Sequence, residues 1–190
     1  MTTPTASAPP ILYATPRVSA FVDEVREAVR RGLAPDLTAH LVAERLAPHL
    51  GAPDLLTPDQ RQGDPETYRQ HLLHAEPDGS FSVVALVWLP GQRTAIHDHV
   101  SWCVAGVHEG QERERRYHLV PDGTTSRLVA VAEVTNPRGS AAGFAPPGDI
   151  HRVWNAGADR AISIHVYGAD VSRLGSSVRR VYESPKGEEL

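Results

Sequence analysis

The chain is short of several things, and each shortage removes a class of explanation. It holds one cysteine, Cys103, among 190 residues. That excludes an internal disulfide and fits a reducing compartment. It has no block of lysine or arginine, no helix-turn-helix pattern and a net charge of −4, so neither a nucleic-acid partner nor an anionic membrane surface is expected. No apolar run approaches the ~18 residues of a spanning helix, and residues 1–15 carry neither the basic start nor the apolar centre of a secretory signal. A cytoplasmic location is the expectation. Internal repeats and low-complexity linkers are missing from residues 17–182. What remains is ordinary: 41% hydrophobic and 22% charged residues suit a globular protein, and the length suits one domain with a sizeable core better than two.

Taken in order, residues 1–16 are rich in Pro, Ala and Thr and read as a loose arm. From Ser19 the pattern turns helical, with Phe21, Val22, Val25, Ala28 and Val29 at three-to-four spacing up to Arg31-Gly32. A second helix is expected from Pro35-Asp36, carrying Leu37, Leu41, Val42 and Leu46 and stopping before Pro48. After Pro65 the chain changes to short β-type runs bounded by turn residues: Tyr68–Ala75, Phe81–Leu89, Ile96–Val107, Glu112–Val120, Ser126–Val134, Gly143–Phe144, His151–Asn155 and Ala161–Tyr167. An arginine-rich tail follows. Many short strands after two helices predict a mainly β protein, a sandwich or barrel with a helical cap. The expected division is an arm (1–16), a helical cap (17–64), a β-barrel (65–183) forming one globular unit with the cap, and a tail (184–190).

The chemistry concentrates in Gly91 to Gly110. His97 and His99 are two apart, so on a strand both imidazoles point to one face. Two neighbouring imidazoles are poor places for two protons and good ligands for one ion of iron, zinc, copper or nickel. His151, in P-P-G-D-I-H-R-V-W-N, is a third candidate ligand. Gly91, His97, His99, Cys103 and Gly110 resemble the first motif of the cupin superfamily, with Cys103 where a Glu is usual. Pro146, Gly148, His151 and Asn155 resemble its second motif, whose leading glycine stands one place early at Gly139. The resemblance, over roughly residues 65–175, implies a small jelly-roll barrel holding one metal between the two motifs. Three imidazoles without a carboxylate leave the ion its full charge and open positions. Iron(II) fits this best, while ligand type alone leaves nickel, copper and zinc open.

The run Ile162 to Tyr167 alternates strictly. Ile162, Ile164 and Val166 share one face, and Ser163, His165 and Tyr167 the other. Hydroxyl, imidazole and phenol in line can form a relay that fixes the histidine tautomer and orients the phenol. H-D-H, the cysteine after it, P-G-D-I-H and S-I-H-V-Y-G together resemble the cysteine dioxygenase family of thiol dioxygenases. The resemblance implies iron(II) held by His97, His99 and His151, with Ser163, His165 and Tyr167 as the catalytic relay. It further implies a small thiol and O2 as partners and a sulfinate as product. In part of the family a cysteine and a tyrosine are joined by a thioether, and Cys103 and Tyr167 stand where that link would form.

Specificity rests on whatever holds the substrate carboxylate, ideally the planar fork of an arginine. Cysteine-selective relatives carry an arginine on an early strand; aligning Tyr68 and Leu72 puts Gln70 there, with Arg69 adjacent and facing the other way. Relatives preferring 3-mercaptopropionate have a glutamine at that place and use a C-terminal arginine, for which Arg173, Arg179 and Arg180 are candidates. Gln70 thus leans toward 3-mercaptopropionate and Cys103 toward L-cysteine. Trp102 and Trp154 are candidates for the pocket mouth, although buried aromatics in a barrel more often serve plain packing. The competing readings are another metal-dependent cupin (a carbon-substrate dioxygenase or an isomerase) and a non-catalytic small-molecule-binding cupin. A monomer or small homo-oligomer is expected.

Overall fold

The structure, a computed structural model, describes residues 14–185, 187 and 188. The expected arm up to residue 13, and residues 186, 189 and 190 of the expected tail, lie outside the described residues. Helix α1 spans Pro16–Arg30. It starts earlier than its apolar stripe because a cap sets its beginning: Thr15 Oγ1 accepts the Val18 N–H at 3.2 Å, and Pro16 sits where the helix needs no N–H donor. Helix α2, Pro35–Leu46, also opens on a proline. Its buried stripe is Thr38, Ala39, Val42, Ala43 and Leu46, while Leu37, expected inside, is 54% exposed. The small residues win the inner face because α2 lies hard against a strand. A Cβ on Gly143 would collide with the Ala39 carbonyl.

Ten strands follow among the described residues: β1 Arg69–Ala75, β2 Ser82–Trp88, β3 Ile96–His99, β4 Cys103–Glu109, β5 Gln111–Asp122, β6 Thr125–Pro137, β7 Ala141–Phe144, β8 His151–Trp154, β9 Ala161–Tyr167 and, after the short helix α3 (Val171–Leu174), β10 Val178–Tyr182. They form two five-stranded sheets, ordered β1-β2-β9-β4-β7 and β10-β3-β8-β5-β6, with antiparallel pairing throughout. Two differences from the sequence pattern matter. The run Ile96–Val107 is not one strand; it breaks at Val100–Trp102, leaving β3 in one sheet and β4 in the other, so the chain turns a barrel corner between the two histidines and Cys103. The arginine-rich tail is not merely a tail, since β10 closes the second sheet by pairing with β3.

The centre of the first sheet is buried on both faces. Val83, Ala85, Val87, Ile162, Ile164 and Val166 pack outward against Phe21, Val25, Val42 and Leu46 of the helices. Val84, Leu86, Trp88, Cys103 and Tyr167 turn inward, toward Val153 of the second sheet. Every residue of β2 and β9 is buried. The polar face of β9 therefore points into the barrel and not to water, which is the geometry a relay needs.

Candidate active site

His97 and His99 sit on β3, and His151 opens β8 directly opposite His97. One ligand atom from each of the three lies within 4.8 Å of the others, and all three residues are buried. Each ring has its Nδ1 taken. His97 Nδ1 donates to the Ala95 carbonyl at 3.0 Å, His99 Nδ1 to Asp149 Oδ2 at 3.1 Å, and His151 Nδ1 to Glu114 Oε1 at 2.8 Å. Carbonyls and carboxylates only accept, so the proton of each neutral ring is on Nδ1, and Nε2 is left with a free lone pair. Burial, then repulsion from His151 and His99, pushes the His97 pKa down to about 3. Burial also lowers His99, against the pull of Asp149. For Glu114, hydrogen bonds from His151 and Arg116 outweigh the burial that would raise it, and it falls to about 2. Rings with anchored Nδ1 atoms and converging Nε2 atoms suit one divalent transition ion, so the residues fit the metal that the motifs imply.

The turn before β8 positions this set. Gly148 has φ of 99°, a conformation that disfavours any side chain, and it hands Asp149 into a buried position where Oδ2 also accepts the His99 backbone N–H at 2.9 Å. Asp98, between the two histidines, points the opposite way along β3. Its Oδ2 accepts from Arg179 at 2.6 Å, Arg180 at 3.3 Å and Tyr182 at 2.8 Å, tying β10 over the site.

Across the cavity, Tyr167, His165 and Ser163 form a buried line. The Tyr167 hydroxyl is 3.3 Å from His165 Nδ1, and His165 Nε2 is 2.9 Å from Ser163 Oγ. Trp88 Nε1 donates to the same Ser163 oxygen at 3.1 Å. Burial, reinforced by the three other imidazoles, brings His165 down to about 3, and burial drives the Tyr167 phenol well up. Cys103 is fully buried, stands directly opposite Tyr167 across β4 and β9, and has its thiol pushed up by the same burial. Directly opposed residues of this kind have Cβ atoms about 4.5–5.5 Å apart.

A cavity of about 440 Å³ joins these groups, lined by His97, His99, His151, His165 and Tyr167 together with Tyr68, Gln70, Arg179 and Arg180. Arg69 is exposed on β1 and is not among the lining residues. Arg173 pairs with Asp170 at 3.0 Å and donates to the Pro77 carbonyl, outside the barrel. The two tryptophans weighed for the mouth do not line the cavity: Trp102 packs on the helix-side core, and Trp154 lies under Arg113 and Arg115. Trp88, stacked on Tyr68 with ring centroids 4.6 Å apart, lines the cavity instead. The sequence reading missed Asp149, Glu114 and Asp98 as partners, and the buried Glu112. Asp149 and Asp98 stand inside the quoted motifs P-G-D-I-H and H-D-H, where an acid within two residues of a candidate ligand is the one local signal. The two glutamates carry no local mark, since only the β5–β8 pairing brings Glu114 to His151.

A two-sheet antiparallel barrel with three inward histidines at one end of its cavity defines a cupin with a candidate metal site. Residues 61–176 match cysteine dioxygenase type I, more than half of the chain, and the protein belongs to that family. Similar solved structures include an RmlC-like cupin from Desulfovibrio desulfuricans, at 20% identity over 56% of this chain and 88% of that one with a TM-score of 0.41. A Cupin 2 conserved barrel domain protein from Salinispora arenicola is also 20% identical, over 65% and 94%, with a TM-score of 0.42.

Proposed function

We propose that the protein is an iron(II)-dependent thiol dioxygenase that converts a small thiol acid to its sulfinate, with 3-mercaptopropionate as the preferred substrate and L-cysteine second. The observation that carries this is the cavity itself: three Nδ1-anchored imidazoles face the Ser163–His165–Tyr167 line, in a chain of the cysteine dioxygenase type I family. The reaction, R–S⁻ + O2 → R–SO2⁻, is balanced without another reductant, because the sulfur supplies the electrons and keeps both oxygen atoms. Iron(II) on His97, His99 and His151 would supply open coordination positions at which thiolate and O2 are brought together.

The remaining work falls to side chains. Asp149 and Glu114 hold their histidines in the Nδ1–H tautomer. The Tyr167 hydroxyl, oriented by His165, hydrogen-bonds the substrate or oxygen at the reacting end. Gln70, with no charge of its own, leaves the substrate carboxylate to Arg179 or Arg180 on β10 at the cavity wall. Both guanidinium groups are paired with Asp98 on the outer face of β3, and one of them would leave that pair to meet the carboxylate. Gln70 and these arginines favour a thiol acid without an α-ammonium group. The facing pair Cys103 and Tyr167, which would accept a thioether link, is the observation that favours L-cysteine.

The test is oxygen uptake by iron(II)-loaded protein with each thiol side by side, with the sulfinate checked by mass spectrometry. Faster uptake with 3-mercaptopropionate at low concentration is the expected result. Faster turnover of L-cysteine moves the substrate assignment to the second thiol. If neither thiol draws oxygen at full iron content, thiol dioxygenase is the wrong activity.

A further inference from the structure

One buried acid is used by none of these roles. Glu112 on β5 is 2% exposed, its Oε1 has no hydrogen-bond partner, and its carboxyl is close enough to the Ser163 hydroxyl and the Trp88 indole for both to favour its charged form. It bonds none of the three candidate ligands; Glu114, two residues on, is the acid that holds His151. A buried carboxyl beside a hydrogen-bonded line, with an unmatched oxygen, is costly unless it exchanges protons with that line.

We propose that Glu112 is the fourth member and inner terminus of the relay, a positioning residue whose protonation state sets, through Ser163 and His165, whether the Tyr167 hydroxyl donates into the cavity. This rests on the relay assigned above and follows from donor accounting. Ser163 Oγ has one hydrogen and two lone pairs, and one lone pair is taken by Trp88. When Glu112 is a carboxylate, the serine hydroxyl donates to it. The second lone pair then accepts His165 Nε2–H, so His165 Nδ1 is bare and accepts the Tyr167 hydroxyl. When Glu112 is protonated it donates to Ser163, the serine hydroxyl turns to His165 Nε2, and the proton of His165 moves to Nδ1. There it donates to the Tyr167 oxygen, freeing the phenol hydrogen for the cavity. The two states differ by one proton, held at Glu112; every other member keeps its count.

The groups facing Glu112 fit this role. Burial raises it first and Glu114 on its own strand adds to the rise, bringing it to about 7 against the pull of Ser163 and Trp88. His151 of β8 shares a small space of about 60 Å³ with it. From β9 it meets Ser163, with His165 and Tyr167 behind. Strand β6 offers uncharged Asn136 as its register partner, and β4 and β7 offer only alanines, a valine and Phe144 around that space.

The experiment follows the ring nitrogens of His165 in full-length, ¹⁵N-histidine-labelled protein loaded with zinc(II), a diamagnetic occupant, with His165 assigned as the signal missing from H165N. The wild type is expected to exchange Nε2–H for Nδ1–H as pH falls through neutrality. E112Q, which can donate or accept but not titrate, is expected to hold one tautomer from roughly pH 6 to 9. S163A, with Glu112 intact but disconnected, is expected to lose the exchange as well. A single wild-type tautomer over that range, or an exchange that survives in E112Q, overturns the proposal. The wild-type titration decides even if a variant fails to fold. None of these readings uses turnover, so the relay proposal and the dioxygenase reading can fail separately.

Discussion

The two walls of the cavity use the same side chain in opposite ways. On the β3–β8 wall each imidazole has one nitrogen tied to an acceptor and the other free. On the β9 wall His165 has both nitrogens tied, one to a phenol and one to a hydroxyl. A ring with one anchored nitrogen is a preformed ligand, because its tautomer and orientation are settled before the ion arrives. A ring with both nitrogens in a hydrogen-bonded line can pass polarity from end to end and has nothing left for a metal. Burial lowers the pKa of His97 and His99 on one wall and of His165 on the other, so the difference between binding and relaying lies in the partners and not in the histidines.

Breaking the first wall should have the largest effect. H97A removes one of three converging lone pairs, and iron content measured by atomic emission is expected to fall to near background, taking all turnover with it. Retention of stoichiometric iron in H97A would mean the ion sits elsewhere. Breaking the second wall should look different. H165N is expected to keep its iron and lose roughly 10²-fold in turnover, the usual scale for a misplaced acid–base group. If iron and activity fell together in H165N, the two walls would not be separable. D149N sharpens the contrast further: it leaves all three ligands in place but weakens the anchor on His99. It should cost about 10–100-fold in iron affinity, read by competition with a chelator, with turnover recovered at saturating iron.

The same contrast explains what the sequence made legible. Ligands advertise themselves: His97 and His99 at spacing two, and His151 within a proline–glycine turn, are visible because a metal site needs fixed residue types on short, regular elements. The relay was visible for a similar reason, as alternation along one strand. Partners set by strand pairing leave no such trace. Glu112 and Glu114 look like two acids in the charged run E-R-E-R-R, and only the β5–β8 register and the inward turn of β9 give them their different neighbours. The break between His99 and Cys103 was hidden because Val100–Trp102 keeps the apolar character of a strand while changing sheets. Strand β10 was hidden because its residues are exposed or half-exposed and its arginines read as tail.

Neutrality through burial gives the smallest effect and a direct reading of both walls at once. The folded-state pKa values of His97 and His165 lie near 3, well below the ~6.5 of an unfolded histidine. Between those limits the unfolded chain takes up protons that the native protein refuses, so stability falls as pH is lowered through that window. Each such ring contributes at most about 1.4 kcal/mol per pH unit. The metal-free protein should therefore show a melting temperature that is flat above neutrality and declines steadily from about pH 6.5 downward. The metal-loaded protein starts higher and loses its advantage over the same range, because protons compete with the ion for the ligand lone pairs. Removing one ring from each wall distinguishes the contributions. H97A should shallow the acid slope of the metal-free protein and abolish the metal-dependent shift, whereas H165N should shallow the slope and leave the shift. Glu112, raised to about 7, opposes this slope over the same window because the native protein takes up its proton first. A melting temperature unchanged between pH 7 and 5 in E112Q, where that opposition is removed, would mean that water reaches these rings, and the distinction between anchored ligand and buried relay would lose its physical basis.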